Sequence, residues 1–391
     1  MLNTPFSPWP SYTNEEADAV KNVLLSNKVN YWTGEECRLF EKEFANWVGC
    51  DYAVALSNGT LALDVALKAL NIGPNDDVIT TPRTFLASAS SIVTAGANPI
   101  FADVDLNSQA ITAESIEAVL TPNTKAVIVV HLAGMPAEMD PIMELSRKHN
   151  FYVIEDCAQA HGAKYKGHSV GTIGDIGAWS FCQDKIMTTG GEGGMVTTNN
   201  KTFWSKMWSY KDHGKNYDSV YNKSHPSGFR WLHDSFGTNW RMTEIQAILG
   251  RIQLKRMPEW TRIRQENCTL INDAIKDLPI ARCIKIPDYI SHAGYKHYIF
   301  VNPEYMKPDW SRDRIVESIV SEGVPAYQGS CSEIYKEKAF DNTPWRPKHP
   351  LVNAVTLGET SIMFLVHPTL KQDELIKMKN VIRNILIQAS K

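Results

Sequence analysis

Two short stretches combine an apolar run with residue types that can do covalent chemistry. In Phe151-Tyr152-Val153-Ile154-Glu155-Asp156 four apolar residues run into a carboxylate pair, and an apolar run from Ala178 leads through Ser180 and Asp184 to Lys185. Ligands of open α/β sheets bind outside the carboxyl ends of the strands, so Asp156 and Lys185 can share one crevice. The plain alternative is a salt bridge between two neighbouring strands. Against it stands Gly190-Gly191-Glu192-Gly193-Gly194, a run that removes side chains, at an entropic cost, where something must come close to the backbone. Its spacing is not Gly-x-Gly-x-x-Gly, it precedes a β-type segment, and no Gly-x-x-x-x-Gly-Lys-Ser/Thr element occurs, which sets aside the dinucleotide and P-loop readings.

Ser57-Asn58-Gly59-Thr60 follows another apolar run and leads directly into an apolar helical pattern. A strand, a small polar turn and a helix start place free N–H groups and the positive dipole end together, which suits an anion; the alternative is an ordinary N-cap. A phosphate cradle, a buried carboxylate and a lysine nucleophile form the set that pyridoxal 5′-phosphate requires.

These residues need a sheet to position them. Continuous apolar runs at 52–57, 77–82, 99–103, 126–131, 151–155, 178–182 and 194–198 alternate with helical patterns such as 60–70 and 139–149. That pattern predicts an α/β fold: a mostly parallel sheet of about seven strands with helices on both faces. The last two strands lie too close for a helical crossover, so the sheet is expected to be mixed there. Thr13-Asn14-Glu15-Glu16 reads as a capping box opening a helix over 17–25. Helices are expected at 243–257, ended by Pro258, and at 260–278. Beyond about 280, strands at 298–301 and 361–365 with helices at 312–322 and 372–390 indicate a smaller α+β unit. The expected division is a large domain over 1–255 and a small one over 256–391.

The chain has 391 residues, 43% apolar and 21% charged, which excludes a disordered or fibrous protein. Forty basic against 43 acidic side chains leave a formal charge of −3, so no global field favours nucleic acid or an anionic membrane. Seven cysteines without Cys-x-x-Cys pairing point to free thiols in a reducing compartment and to no metal site. The N-terminus carries neither a basic nor an apolar leader pattern, so a cytoplasmic protein is expected. Histidines 131, 161, 213 and 367 read more simply as strand-end or turn hydrogen-bonding groups than as general bases.

Five ordered blocks carry a resemblance: Ser57-Asn58-Gly59-Thr60-Leu61-Ala62-Leu63, Thr81-Pro82-Arg83-Thr84-Phe85, the segment from Glu155 through Asp156, Gln159 and His161 to Ala163, the segment from Ser180 to Lys185 with Gly191 to Gly194, and the segment from Gly237 to Gln246. In this order they are similar to the DegT/DnrJ/EryC1/StrS family of fold-type I, pyridoxal-phosphate-dependent sugar aminotransferases. The resemblance spans nearly the whole chain. It implies that Lys185 condenses with the cofactor aldehyde, that Asp156 pairs with the pyridine nitrogen, that Gln159 lies near the ring oxygen and that Phe85 stacks on the ring. It assigns the phosphate to Gly59, Thr60 and Ser180, joined by Asn239 from a second subunit, and hence a homodimer with shared sites. The segment after Lys185 is one residue longer than in some branches.

A family branch with His in place of this lysine dehydrates its substrate, whereas Lys185 implies amino transfer. The implied donor is glutamate, with pyridoxamine 5′-phosphate as the intermediate form. The implied acceptor is a nucleotide-linked 4-keto-6-deoxy sugar for surface polysaccharide such as O-antigen, with a UDP-linked 2-acetamido sugar aminated at C4 preferred. A dTDP- or GDP-linked keto sugar, including a perosamine-type substrate, and an inactive regulator are the alternatives. The aperiodic segment 211–238 offers Lys211, His213, Lys215, Tyr217, Tyr221, Phe229, Arg230 and Trp231 for stacking a base and neutralising a diphosphate; the plain reading of it is an interface loop.

Overall fold

The computed structural model describes residues 6–228 and 230–391. In chain order the first part holds α1 (Asn14–Leu25), α2 (Glu36–Val48), β1 (Tyr52–Leu56), α3 (Gly59–Ala69), β2 (Asp77–Thr80), α4 (Ala87–Thr94), β3 (Asn98–Phe101), α5 (Ala113–Glu117), β4 (Thr124–Val130), α6 (Met139–His149), β5 (Tyr152–Asp156), β6 (Lys164–Tyr165), β7 (His168–Ser169), β8 (Ile176–Ser180), β9 (Gly194–Thr198), α7 (Lys201–Lys211), α8 (Tyr217–Tyr221) and α9 (Glu244–Ile275). The rest holds β10 (Ala281–Cys283), β11 (Ile290–Ser291), β12 (His297–Val301), α10 (Arg312–Ser321), β13 (Ala326–Tyr327), α11 (Val352–Thr360), β14 (Ser361–Phe364) and α12 (Gln372–Ala389).

Seven strands form the main sheet in the order β1-β9-β8-β5-β4-β2-β3. The pairs β5–β8, β4–β5, β2–β4 and β2–β3 are parallel, while β9 runs antiparallel to both β1 and β8. The mixed pairing sits at the short connection between the last two strands, as the sequence predicts. β2, β8 and β9 are buried at every position, because helices cover both faces. A four-stranded antiparallel sheet, β10-β12-β14-β13, packs with α10 and α12 around a second apolar core that includes Ile299, Ile315, Phe364 and Ile382. β11 joins β6 and β7 in a third, small sheet and so ties the two parts of the chain together.

Thr13 and Glu16 form the expected capping box at α1, with the Thr13 N–H donating to Glu16 Oε2 at 2.8 Å. The expected break at Pro258 does not occur, for α9 runs unbroken through it for 32 residues. An internal proline forfeits one backbone hydrogen bond and clashes with the preceding turn, costing about 3 kcal/mol. Contacts on both sides oppose that cost: Arg256 pairs with Glu15 and Glu16 of α1, Met257 is fully buried, and Trp260 packs edge-on against Trp9 at 5.0 Å. Tertiary packing thus overrides a local helix breaker. Among the described residues, no helix is long and apolar enough to cross a membrane.

Candidate active site

The ends of β5 and β8, the start of α3 and the turn before α4 open onto one cavity of about 1110 Å³. Its lining includes Gly59, Thr60, Phe85, Asp156, Gln159, Ser180 and Lys185, so seven separately identified residues meet in one place.

Asp156 ends β5 and is buried. Its Oδ2 accepts from Ser88 Oγ at 2.8 Å and its Oδ1 from the Ala158 N–H at 3.1 Å. Burial raises its pKa, only partly offset by those donors and by Lys185 and His131. A carboxylate in this setting is completed by a cationic ring nitrogen. Gln159 Oε1 accepts the Ala133 N–H at 2.8 Å, which leaves its NH₂ as the donor for an oxygen on the ring.

The anion end is equally defined. Asn58 caps α3 by accepting the Leu61 N–H at 3.0 Å, and Gly59 and Thr60 begin the helix with N–H groups of its first turn. A Cβ on Gly59 would lie 2.5 Å from Ser180 Cβ, so glycine lets the helix start approach the end of β8. The glycine run before β9 serves the same seat. A Cβ on Gly194 would come within 2.2 Å of the Asn58 carbonyl oxygen, so the close approach inferred from sequence is to the protein's own backbone. Phe85 lines the cavity with 72% of its surface exposed, a large apolar ring free to stack on a planar ligand. A buried carboxylate awaiting a cation, a helix start whose first-turn N–H groups lie beside Ser180 and an exposed aromatic face fit pyridoxal phosphate.

Lys185 Nζ lies 3.7 Å from Asp184 Oδ1 and 5.3 Å from the centre of the Tyr295 ring. The Tyr295 hydroxyl donates to Asp184 Oδ2. Burial raises the Asp184 pKa, but Lys185 and Tyr295 outweigh it and hold the carboxyl below its ordinary value. The side chains of Ser88, Asp184, Tyr295 and Lys296 escaped the sequence reading as site residues. Ser88 lies within a helix of small residues and Tyr295 and Lys296 precede a late strand, so only the folded chain brings them to the cavity.

The proposed substrate residues are not gathered there. Lys211 is fully buried, its Nζ 3.3 Å from the centre of the Tyr31 ring, 5.2 Å from that of Trp208 and 3.8 Å from Asp212 Oδ2. Burial pushes its pKa down to about 8, against the pull of Glu41 and Asp212. This corrects the expectation that Lys211 meets substrate, since aromatic rings enclose the ammonium. Tyr217 packs on Trp204 and Trp208, at 4.8 and 4.9 Å. His213, Arg230 and Trp231 are exposed, Trp231 by 86%, and none lines the cavity. Phe229 lies outside the described residues. Asn239 is exposed and bridges Asp212, and the next residue accepts the Ser57 N–H through its carbonyl at 3.0 Å. The segment is therefore laced to the β1 edge while Asn239 stays outside the cavity lining.

His131 donates and accepts as a strand-end group: its Nδ1 accepts the Ala137 N–H at 3.1 Å and its Nε2 meets Glu155 Oε2 at 3.0 Å. Glu155 also accepts the N–H groups of Gly171, Ile173 and Gly174, so the nearby Cys157 has no open metal-ligand set beside it. His161 lies between Trp179 and Phe181, and burial first, then Lys185 and Arg264, lower its pKa to about 3.

Known proteins resemble this chain over nearly its full length. The model of the DegT/DnrJ/EryC1/StrS aminotransferase family matches residues 10–385. GDP-perosamine synthase of Escherichia coli O157:H7 is 34% identical over 94% of both chains. UDP-N-acetyl-3-dehydro-alpha-D-glucosamine 3-aminotransferase of Acidithiobacillus ferrooxidans is 33% identical over 93% of this chain and 92% of its own. The crystal structure of an aminotransferase from Psychrobacter cryohalolentis superposes with a TM-score of 0.97 at 60% identity, covering 98% of this chain and all of that one. The chain belongs to the DegT/DnrJ/EryC1/StrS aminotransferase family, a family of pyridoxal-phosphate-dependent enzymes.

Proposed function

We propose that this enzyme transfers the amino group of glutamate to C4 of a nucleotide-linked 4-keto-6-deoxy sugar, preferably a UDP-linked 2-acetamido sugar, for surface polysaccharide such as O-antigen. The observation that carries the amino-transfer part is the meeting of Lys185, Asp156 and the Gly59–Thr60–Ser180 seat in one cavity. Bound there, pyridoxal phosphate supplies an electron-withdrawing ring that makes the substrate C–H acidic. The residues divide the remaining work. Asp156, oriented by Ser88 Oγ and the Ala158 N–H, holds a proton on the ring nitrogen. Gly59, Thr60 and Ser180 bind the phosphate, Gln159 donates to the ring oxygen, and Phe85 covers one ring face and excludes water from it. Lys185 holds the cofactor in the resting enzyme, and its Nζ then moves the proton at the reacting carbon of donor and acceptor.

The proposal includes a cytoplasmic homodimer in which Asn239 reaches the partner's phosphate seat, and a division into units 1–255 and 256–391 crossed by α9. Neither nucleic acid nor a membrane is part of it. His213, Arg230 and Trp231 are assigned to the sugar nucleotide across that interface, while Tyr217 packs inside the segment. A second reading, amination at C3 or of a GDP-linked sugar, is favoured by the names of the two relatives above. Incubation with glutamate and a panel of UDP-, dTDP- and GDP-linked keto sugars, with products identified by mass spectrometry and NMR, tests the choice. A C4-amino UDP sugar as the preferred product supports the proposal; preference for a GDP-linked or C3-keto substrate replaces it with the second reading.

A further inference from the structure

Beside Lys185 the cavity wall carries a second lysine, Lys296, which the roles above leave unused. Its Nζ lies 4.7 Å from the centre of the Tyr295 ring, the ring that Lys185 Nζ approaches at 5.3 Å. Two ammonium groups therefore flank one aromatic side chain, whose hydroxyl is taken up by Asp184. A third cation stands behind them. Arg264 is fully buried; its Nη1 donates to the Gly294 and Tyr295 carbonyls at 3.3 and 3.4 Å and its guanidinium lies 4.9 Å from the centre of the Trp9 ring, while its Nε and Nη2 have no hydrogen-bond partner among the described residues. Asp184 is the carboxylate set against this positive group. Lys296 is half-buried and has no carboxylate within salt-bridge distance among the described residues, so an anionic ligand in the cavity would supply the partner it lacks.

The position selects which anion. In an amino acid the α-carboxylate is carried by the same carbon as the reacting amine, so a cation that binds it must stand next to the lysine doing the chemistry. In a 4-keto sugar nucleotide the diphosphate is attached across the pyranose ring from the reacting carbon and falls farther away. Resting on the aminotransferase reading, we infer that Lys296 anchors the α-carboxylate of the amino donor.

The same site must next take a sugar that has no carboxylate at the reacting carbon. Burial foremost, then Arg264 and Lys185, lower the Lys296 pKa to about 8 against the opposing pull of Asp184. His367, the remaining titratable neighbour, is itself held neutral by burial. The acceptor offers Lys296 no carboxylate to bind, and the sugar half-reaction does not depend on it.

The test compares Lys296→Met with wild type, both loaded with pyridoxal phosphate, with Lys296→Gln as a second variant should the first not fold. Calorimetric titration with 2-methylglutamate, which lacks the removable hydrogen, should show a Kd at least about tenfold higher in the variant, the loss of one charge-assisted contact. Lys296→Arg should recover most of that loss. Reaction with 4-aminobutyrate, which lacks the α-carboxylate, and the half-reaction of the pyridoxamine form with keto sugar should change less than about threefold. An unchanged Kd for 2-methylglutamate, or equal losses with all three ligands, overturns the assignment. Failure of the wild type itself to take amino groups from any donor overturns the aminotransferase reading on which it rests.

Discussion

The strand-end wall of the cavity and the segment over 211–238 are both candidates for ligand contact, and the fold treats them in opposite ways. On the wall, Asp156 and Ser180 end strands of the main sheet and Gly59 opens the helix beside them, so the sheet itself sets where their polar atoms stand. Beyond Lys211 that segment has a single short helix among its described residues; Tyr217 is spent on internal packing, and Arg230 and Trp231 are exposed. One region is set by the sheet of a single chain. The other is the surface through which the proposed dimer would add Asn239 to it.

Separating the two regions by mutation gives the largest effect. Lys185→Ala should cut turnover by about 10³-fold or more while leaving the thermal unfolding profile nearly unchanged, as assay and circular dichroism will report. Asn239→Ala should also be nearly inactive if its amide serves a partner's phosphate. Mixing the two inactive proteins should then restore about a quarter of wild-type activity, since half of randomly formed dimers carry one intact site. No recovery after verified subunit exchange would remove Asn239 from a shared site and break the comparison.

Lys211 sharpens it further. Its ammonium balances buried Asp212 and lies near Glu41, which itself accepts the Ala55 N–H and the Tyr31 hydroxyl. Lys211→Met should lower stability by about 2 kcal/mol in denaturant titration, since Glu41 loses the ammonium near it while Asp212 keeps Arg241 at 2.8 Å and Lys215 at 3.3 Å. The KM for the sugar nucleotide should shift less than about twofold. A large KM increase with full stability would return Lys211 to the substrate.

Much of this was readable before folding because strand ends announce themselves. A continuous apolar run that stops at Asp156 or Ser180 fixes both the element and the end at which a ligand sits. The small polar turn at 57–60 marks the helix start in the same way. Other features were hidden for identifiable reasons. Pro258 reads as a stop because its local cost is visible while the Arg256 and Trp260 contacts that oppose it come from residues more than 200 positions away. Lys211 reads as a solvent cation because nothing near it in sequence reveals Tyr31, 180 positions upstream. Tyr295 and Lys296 reach the cavity only when the small antiparallel sheet docks, a long-range event with no local signature.

A smaller effect tests how the two parts of the molecule are joined. His161, His292, His297 and His367 are buried, with pKa values lowered by burial to about 3, 4, 3 and 3. Such groups are neutral when folded but take up protons near pH 6.5 once unfolded, so stability is full above that value and falls as pH drops toward the folded pKa. At pH 5 each should contribute about 2 kcal/mol less than at pH 8. Chemical denaturation across this range should show the decline, and His297→Gln should lessen it by about a quarter, one of four similar contributions; a flat wild-type profile would contradict these burials.

The visible absorption spectrum of the purified protein with added pyridoxal phosphate tests the central assignment most directly. A protein-bound band that is absent in Lys185→Ala, fades on adding glutamate and returns with a keto-sugar acceptor is the expected result. A wild-type protein that gains no band of its own, or whose band ignores glutamate, would contradict it.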